Sequence, residues 1–400
     1  MAITFNADTT NGAVITSDTS GEIELQANGV TKAKVTANGL QDANGNSLRG
    51  GMYRNLIING DMKIAQRGTS LTSLTSGNNF TSDRFYLQVG AGTWSQTTDT
   101  DVPTGQGFVN SLKISCTATA TPTSNQTINV SQGIEGLNLQ HLKYGTSSAE
   151  QLTLSFWVKS NKTGTYVVWF YQNNDTRQTN KTYTIDSADT WEKKTITISA
   201  DTVGVIDNDN GQSMLVRWVL ATGPDLSSGT SPDGIWEAYT GANAYAGQAV
   251  NLADSTSNYI NITGVQLEVG SGASDFEFLP VDVQLARCER YYQKNYLMED
   301  APGVSTSGEN TRYMHGSSDG SSNGAAGVFW RCRMRATPTV TWYTDGGTQG
   351  QWNYARSGAS GAVTFTAYRV GDTGANGYLG VGAAWATCSL WGNWTAEAEL

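Results

Sequence analysis

Histidine is nearly missing from this chain: His141 and His315 are the two present in 400 residues, far apart in sequence. That argues against a Ser-His-Asp triad and against a histidine-rich metal site. The four cysteines, Cys116, Cys288, Cys332 and Cys388, form no CxxC pair. Neither a zinc site nor a dense disulfide framework follows from them, and free, buried thiols in a reducing compartment are expected. Positive charge is scarce, with 25 Lys and Arg against 35 Asp and Glu and a net charge of −10. Without a basic stripe, nucleic acid is not an expected partner. No apolar run approaches a membrane span, so membrane insertion is not expected. The opening MAITFNADTTNG lacks the basic and apolar regions of a secretory signal, and the Asn-X-Ser/Thr sequons carry little weight without one. P-loop and dinucleotide fingerprints are missing. No catalytic residue, cofactor or metal is expected.

What the chain has in quantity is glycine (45), tryptophan (12) and tyrosine (17), with abundant Thr, Ser and Asn. That composition specifies an all-β protein of many short strands and turns. Residues 1–51 read as a short oligomeric β stem. Turn pairs at Asn11-Gly12, Ser20-Gly21, Asn28-Gly29 and Asn38-Gly39 set a hairpin rhythm, and Ile23 with Leu25, then Ala33 with Val35, share strand faces. So little apolar surface cannot hold a domain alone, and identical copies are expected to complete it.

Residues 52–280 carry regular strand candidates without intervening helices. Leu152, Leu154, Phe156 and Val158 alternate; 166–171 is apolar on both faces; 194–199, 214–220 and 259–269 follow. An antiparallel sandwich of the jelly-roll kind is expected. A connecting helix is expected over 281–296, with Val281, Leu285, Cys288 and Tyr292 on one stripe. Residues 297–400 read as a smaller C-terminal β domain, with strands at 328–335, 339–343, 362–368, 378–381 and 394–400 between Gly-rich loops.

Saccharides present apolar C–H faces and rings of hydroxyls, which aromatic platforms flanked by amides, carboxylates and guanidinium groups recognise. Trp169 and Tyr171 share one strand face, and Val168 and Phe170 make the better core face, so the first pair is a candidate platform. Trp342, Tyr343, Trp352 and Tyr354 bracket the loop that holds Asp345, and Tyr378 ends another Gly-rich loop. These are the candidate tip residues. Arg331, Arg333 and Arg335 alternate along one expected strand and face either an anionic glycan or acids of a neighbouring chain. The acids Asp207, Asp209, Asp225, Asp233 and Glu237 read as solvated loop residues. The alternatives are a calcium loop at 207–210 or a carboxylate pair for glycoside cleavage, which would need about 5–9.5 Å between groups.

NLIINGDMKIAQRGTS (55–70), SDRF (82–85), LTLSFWVKS (152–160), the stretch 262–270 and LARCERYYQK (285–294) together resemble tail fibre proteins of tailed bacteriophages, those of marine and cyanobacterial phages in particular. MRATPTVTW (334–342) and TAEAEL (395–400) resemble their distal module, and SDTSGEIELQANG the virion-proximal stem. The resemblance implies a homotrimeric receptor-binding fibre of the virion, assembled in the host cytoplasm. It would dock to another tail protein through residues 1–51 and bind host cell-surface polysaccharide without cleaving it. It also implies that the middle domain is a jelly roll similar to carbohydrate-binding modules. Two alternatives stay open: a glycan depolymerase and a purely structural connector or decoration protein.

Overall fold

A computed structural model describes residues 22–36, 39–42, 53–306, 312–318, 323–356, 359–380 and 388–400. The expected turns at Asn11-Gly12 and Ser20-Gly21, and Asn38 of the turn at Asn38-Gly39, lie outside them. The chain is all-β, as its composition requires.

Ile23–Ala27, Val30–Thr36 and Gly39–Asp42 form a three-stranded antiparallel sheet. Its register sets Ile23, Val35 and Leu40 in one row and Leu25 against Ala33. On the other face Lys34 pairs with Glu24 at 3.0 Å and Glu22 at 3.4 Å. Leu25, Val35 and Leu40 are all exposed, so no described residue covers the apolar face.

The large unit is a sandwich of a six-stranded and a seven-stranded antiparallel sheet, and the chain passes repeatedly between them. Strict alternation drives this. In Leu152–Ser160 the residues Leu152, Leu154, Phe156 and Val158 point inward, and Val168, Phe170, Val216 and Trp218 meet them from the opposite sheet. Trp218 packs against Phe156 at 5.8 Å and Phe85 at 6.2 Å. The interior strand Tyr259–Val269, paired on both sides, carries a register shift opposite Ser155 and Trp157. Gly264 sits there at φ +62°, where a Cβ would come within 2.6 Å of the Phe108 ring. Only glycine combines that backbone with that contact.

Pro280 leads into the helix Val281–Glu289. The expected helix over 281–296 is therefore too long. Its last residues, Tyr292–Lys294, are a strand paired with 395–397 in the C-terminal sheet. The buried stripe is also different: Cys288 is fully buried, whereas Val281 is half exposed. Tertiary partners decide the change. Gln66 donates to the Tyr292 carbonyl at 2.8 Å, and the Arg67 guanidinium lies 3.7 Å from the Tyr292 ring centroid. Cys116, Cys288 and Cys332 are free thiols.

The C-terminal unit is a nine-stranded antiparallel sheet folded around Trp330, Met334, Trp342, Trp352, Phe365, Leu390 and Trp394. The strand expected over 328–335 ends at Phe329, and the arginine row dissolves with it. Arg331 pairs with Glu289 at 2.7 Å, Arg333 with Asp372 at 3.4 Å, and Arg335 donates to the Ala398 and Glu399 carbonyls. Acids and carbonyls of the same chain collect these cations, so they do not form one face.

Chain ends and sandwich are joined by buried charge. Glu399 accepts from Arg84 and, at 3.1 Å, from Arg67. Glu135 accepts two bonds from Arg290, at 2.8 and 2.6 Å, and a third from the Tyr291 hydroxyl.

Lys294 is buried beside this seam and donates to the carbonyls of Met298 and Asp300. Burial brings its ammonium down to about 8. Between about pH 8 and its ordinary value, the unfolded chain binds this proton and the folded chain does not. Stability attributable to Lys294 therefore rises with pH across that window. Lys294→Met is expected to remove this rise in urea midpoints between pH 8 and 10. Identical slopes in both proteins would contradict the assignment.

Candidate functional site

The seven-stranded sheet has two contrasting faces. Tyr166, Val168 and Phe170 enter the core, so Val167, Trp169 and Tyr171 of the same strand must face out. Register then builds a transverse row over five strands: Asn180, Trp169, Arg217, Ser131 and Tyr86 lie opposite one another in turn. A neighbouring row holds Val219, Asn129 and Gln88.

These side chains form one hydrogen-bonded surface. Asn129 donates to Gln88 at 3.2 Å and accepts from Ser131 at 2.8 Å. Arg217 donates to Ser131 at 3.1 Å and to the Tyr245 hydroxyl at 2.7 Å, with its guanidinium 5.3 Å from the Trp169 ring centroid. Trp169 and Tyr171 stack at 4.9 Å and 17°. Tyr239 meets both edge-on, at 6.3 and 5.6 Å.

Part of this face is roofed. Residues 223–250 fold over it, anchored by Asn180, which donates to the Asn243 and Ala244 carbonyls. Tyr245 stands at a right angle to Trp169. Trp169 is consequently 6 % exposed and its Nε1 donates to Gln178. As a free platform Trp169 is corrected: it is the floor beneath Tyr171, which is half-buried, and Tyr239, which is 41 % exposed. The open part of the face is thus Tyr171 and Tyr239, with the half-buried Arg217 and Gln88 on the same face, whereas Ser131 and Asn129 are fully buried and hold those two side chains from below. Chemically it can stack on an apolar plane and hydrogen-bond a polyhydroxylated edge.

The candidate tip residues are not brought together on a surface. Trp342 and Trp352 are core, 2 % and 0 % exposed, and pack on each other at 5.0 Å and on Phe365. Tyr343 is half-buried against Tyr296, and burial pushes its hydroxyl up. Tyr354 is half-buried against the same core. Asp345 accepts from Asn353 at 2.8 Å and Trp391 at 3.2 Å, which pins its turn. Tyr378 alone of this set is exposed, on a different part of the sheet.

Reading the residues in sequence missed Tyr239, Arg217, Ser131, Asn129 and Gln88. Period-two alternation could have placed Arg217 outward once Trp218 was assigned to the core. The others depend on which strands become neighbours.

The loop acids are dispersed. Asp207 binds Asn174, Asp233 pairs with Lys181, and Glu237 accepts from Gln178 and Asn243. Among the described residues no three His, Cys, Asp or Glu side chains cluster as a metal site would require. No helix among them is long and apolar enough to cross a membrane. A separate cleft of ≈ 700 Å³ lies between the segment at Tyr53–Ile58 and the helix, where Arg287, Arg290 and Arg333 rim it.

No protein-family model matches the sequence, and no curated protein matches it. Solved structures do resemble it at low similarity. The enzymatically active domain of tailspike protein 4 from bacteriophage CBA120 is 14 % identical at TM-score 0.30, over 55 % of this chain and 22 % of that one. A family 11 carbohydrate-binding module of a Clostridium thermocellum cellulosomal cellulase is 13 % identical at TM-score 0.25, over 50 % and 99 %. The N-terminal cellulose-binding domain of Cellulomonas fimi β-1,4-glucanase C is 11 % identical at TM-score 0.24, over 52 % and 99 %.

Proposed function

We propose that the chain is a non-catalytic glycan-binding protein, acting as a homotrimeric receptor-binding tail fibre of a bacteriophage. The observation that carries the binding role is the outer face of the seven-stranded sheet. Tyr171, stacked on the buried Trp169 and edged by Tyr239, is open on the face that also carries the half-buried Arg217 and Gln88, which buried Ser131 and Asn129 hold in place. The two tyrosine rings cover the C–H faces of a sugar, and Arg217 and Gln88 take its hydroxyls. Placement on a rigid sheet keeps that geometry without ordering cost on binding.

A double Tyr171→Ala, Tyr239→Ala variant is expected to lose most binding to immobilised bacterial surface polysaccharide while keeping its melting temperature within a few degrees. Unchanged binding would remove this face from the site. Release of new reducing ends by the intact protein would replace binding with cleavage as the activity.

The trimer rests on a second observation. Ile23, Leu25, Val35 and Leu40 present an apolar face, and the opposite face is ion-paired. Three such sheets closing about an axis would cover what each leaves open and would give many weak saccharide sites avidity. Light scattering is expected to give three times the chain mass, and Val35→Asp with Leu40→Asp to lower it. A single-chain mass for the unmodified protein is the contrary result. Docking of residues 1–51 to another tail protein completes the proposal.

A further inference from the structure

Away from the sandwich, Thr366–Tyr368, Gly374–Gly380 and Asn323–Phe329 lie side by side in the C-terminal sheet. Tyr368 is opposite Asn376 and Thr366 opposite Tyr378; across the next pair Asn376 faces Gly327 and Gly374 faces Phe329. Alternation puts all of these on one surface. The opposite surface is core: Val328 and Ala375 are buried, and a Cβ on Gly377 would lie 1.9 Å from Phe365.

The outer surface is unusually open for aromatic residues. Phe329 is 85 % exposed, Tyr368 49 % and Tyr378 41 %. Tyr368 and Tyr378 meet edge-on at 5.9 Å. The Arg369 guanidinium lies 5.1 Å from the Tyr368 centroid, with no carboxylate partner among the described residues. Arg369 also holds φ +48°, an uncommon state for a non-glycine residue. Between the aromatics the floor is glycine. A Cβ at Gly374 would come 2.5 Å from the Val328 carbonyl, and one at Gly327 would come 2.8 Å from Asn376 Oδ1. The result is a concavity of ≈ 320 Å³ bordered by Phe329, Arg369, Val370 and Asn376.

We propose that this face is a second saccharide site, selective for a sugar bearing a carboxylate, such as a uronic-acid unit. Phe329 and Tyr368 cover the C–H faces of the ring, Asn376 bonds its hydroxyls, and Arg369 pairs with the carboxylate. A bidentate guanidinium–carboxylate pair fits this role because Arg369 is the one cation bordering the concavity among the described residues and has no carboxylate partner among them. The protein as a whole carries −10. An acidic polysaccharide is therefore repelled over most of the surface and held where a cation with no described carboxylate partner meets aromatic planes. The inference takes its ligand class from the glycan-binding role proposed above and places it on a different face.

The test is an array of uronate-containing bacterial polysaccharides, each beside its carboxyl-reduced form, probed with the full chain. The unmodified protein is expected to bind uronate glycans about tenfold better than their reduced forms. Arg369→Met should abolish that preference, and Tyr368→Ala should weaken binding about tenfold; Tyr171→Ala with Tyr239→Ala should leave the preference intact. No uronate preference, or a preference unchanged in Arg369→Met, would overturn the proposal. So would a fall in molecular mass on Phe329→Ser, which would show that a second copy covers this face. Uronate binding lost only in the Tyr171 and Tyr239 variant would overturn this site and leave the sheet site standing. No binding by any form would overturn both.

Discussion

Replacing Arg84 with alanine is expected to remove about 3–5 kcal/mol of unfolding free energy, because it takes one of two arginines from a buried carboxylate. Arg84 is 2 % exposed in a turn at φ +72°. Its Nη2 donates to the Gly133 carbonyl at 2.7 Å, its Nη1 meets Glu399, and its guanidinium lies 3.4 Å from the Tyr291 ring centroid. Three separate parts of the chain converge on this one side chain: a sandwich strand, the second residue after the helix, and the segment following the last strand. Alanine leaves Glu399 with Arg67 as its remaining cation, in a place where the Glu399 side chain is only 8 % exposed. Glu399→Gln should cost less, since its amide oxygen still accepts from an arginine and no unpaired anion remains. The measurement is urea unfolding followed by tryptophan fluorescence and by circular dichroism. Coincident transitions are expected for the unmodified chain, with a separate, earlier transition of the C-terminal sheet in Arg84→Ala. A loss below about 1 kcal/mol, the scale of an exposed ion pair, would show that the seam does not couple the two units.

Local alternation made much of the fold legible. Leu152 to Val158 and Tyr166 to Tyr171 announce which side of each strand enters a core, because a period of two leaves no other choice. The outward placement of Trp169 and Tyr171 follows from the same rule. Their exposure does not, because the roof over Trp169 comes from residues 223–250, held by Asn180 and Arg217 from other strands. The helix boundary failed for a similar reason. A helical stripe continues through Tyr292 in sequence, but pairing of 292–294 with 395–397 overrides it. The arginine row at 331–335 looked periodic, yet Glu289 and Asp372, each drawn from elsewhere in the chain, collect two of its members. What alternation cannot encode is which distant segment lies on top.

Trp352→Ala separates the two readings of the C-terminal aromatics and is expected to cost about 3–5 kcal/mol, the range for emptying a buried tryptophan site. Trp352 is fully buried, stacks on Phe365 at 4.5 Å and 8°, and donates from Nε1 to the Asn393 carbonyl at 3.0 Å. Its ring also presses on Gly392, where a Cβ would come within 2.4 Å. The strand Cys388–Glu397 therefore carries a glycine at the point where the indole lies across it. Alanine would empty that space, strip Phe365 of its stacking partner and leave the Asn393 carbonyl short of a donor. A surface platform would behave in the opposite way, losing ligand while melting normally. Tyr378→Ala supplies the contrast, because an exposed side chain of this kind should shift stability by no more than about 0.5 kcal/mol. Circular dichroism melts of both variants decide the point. A Trp352→Ala protein that melts with the unmodified chain would return this residue to the surface, whereas an early-melting one that also fails to bind glycan has lost its scaffold rather than its site.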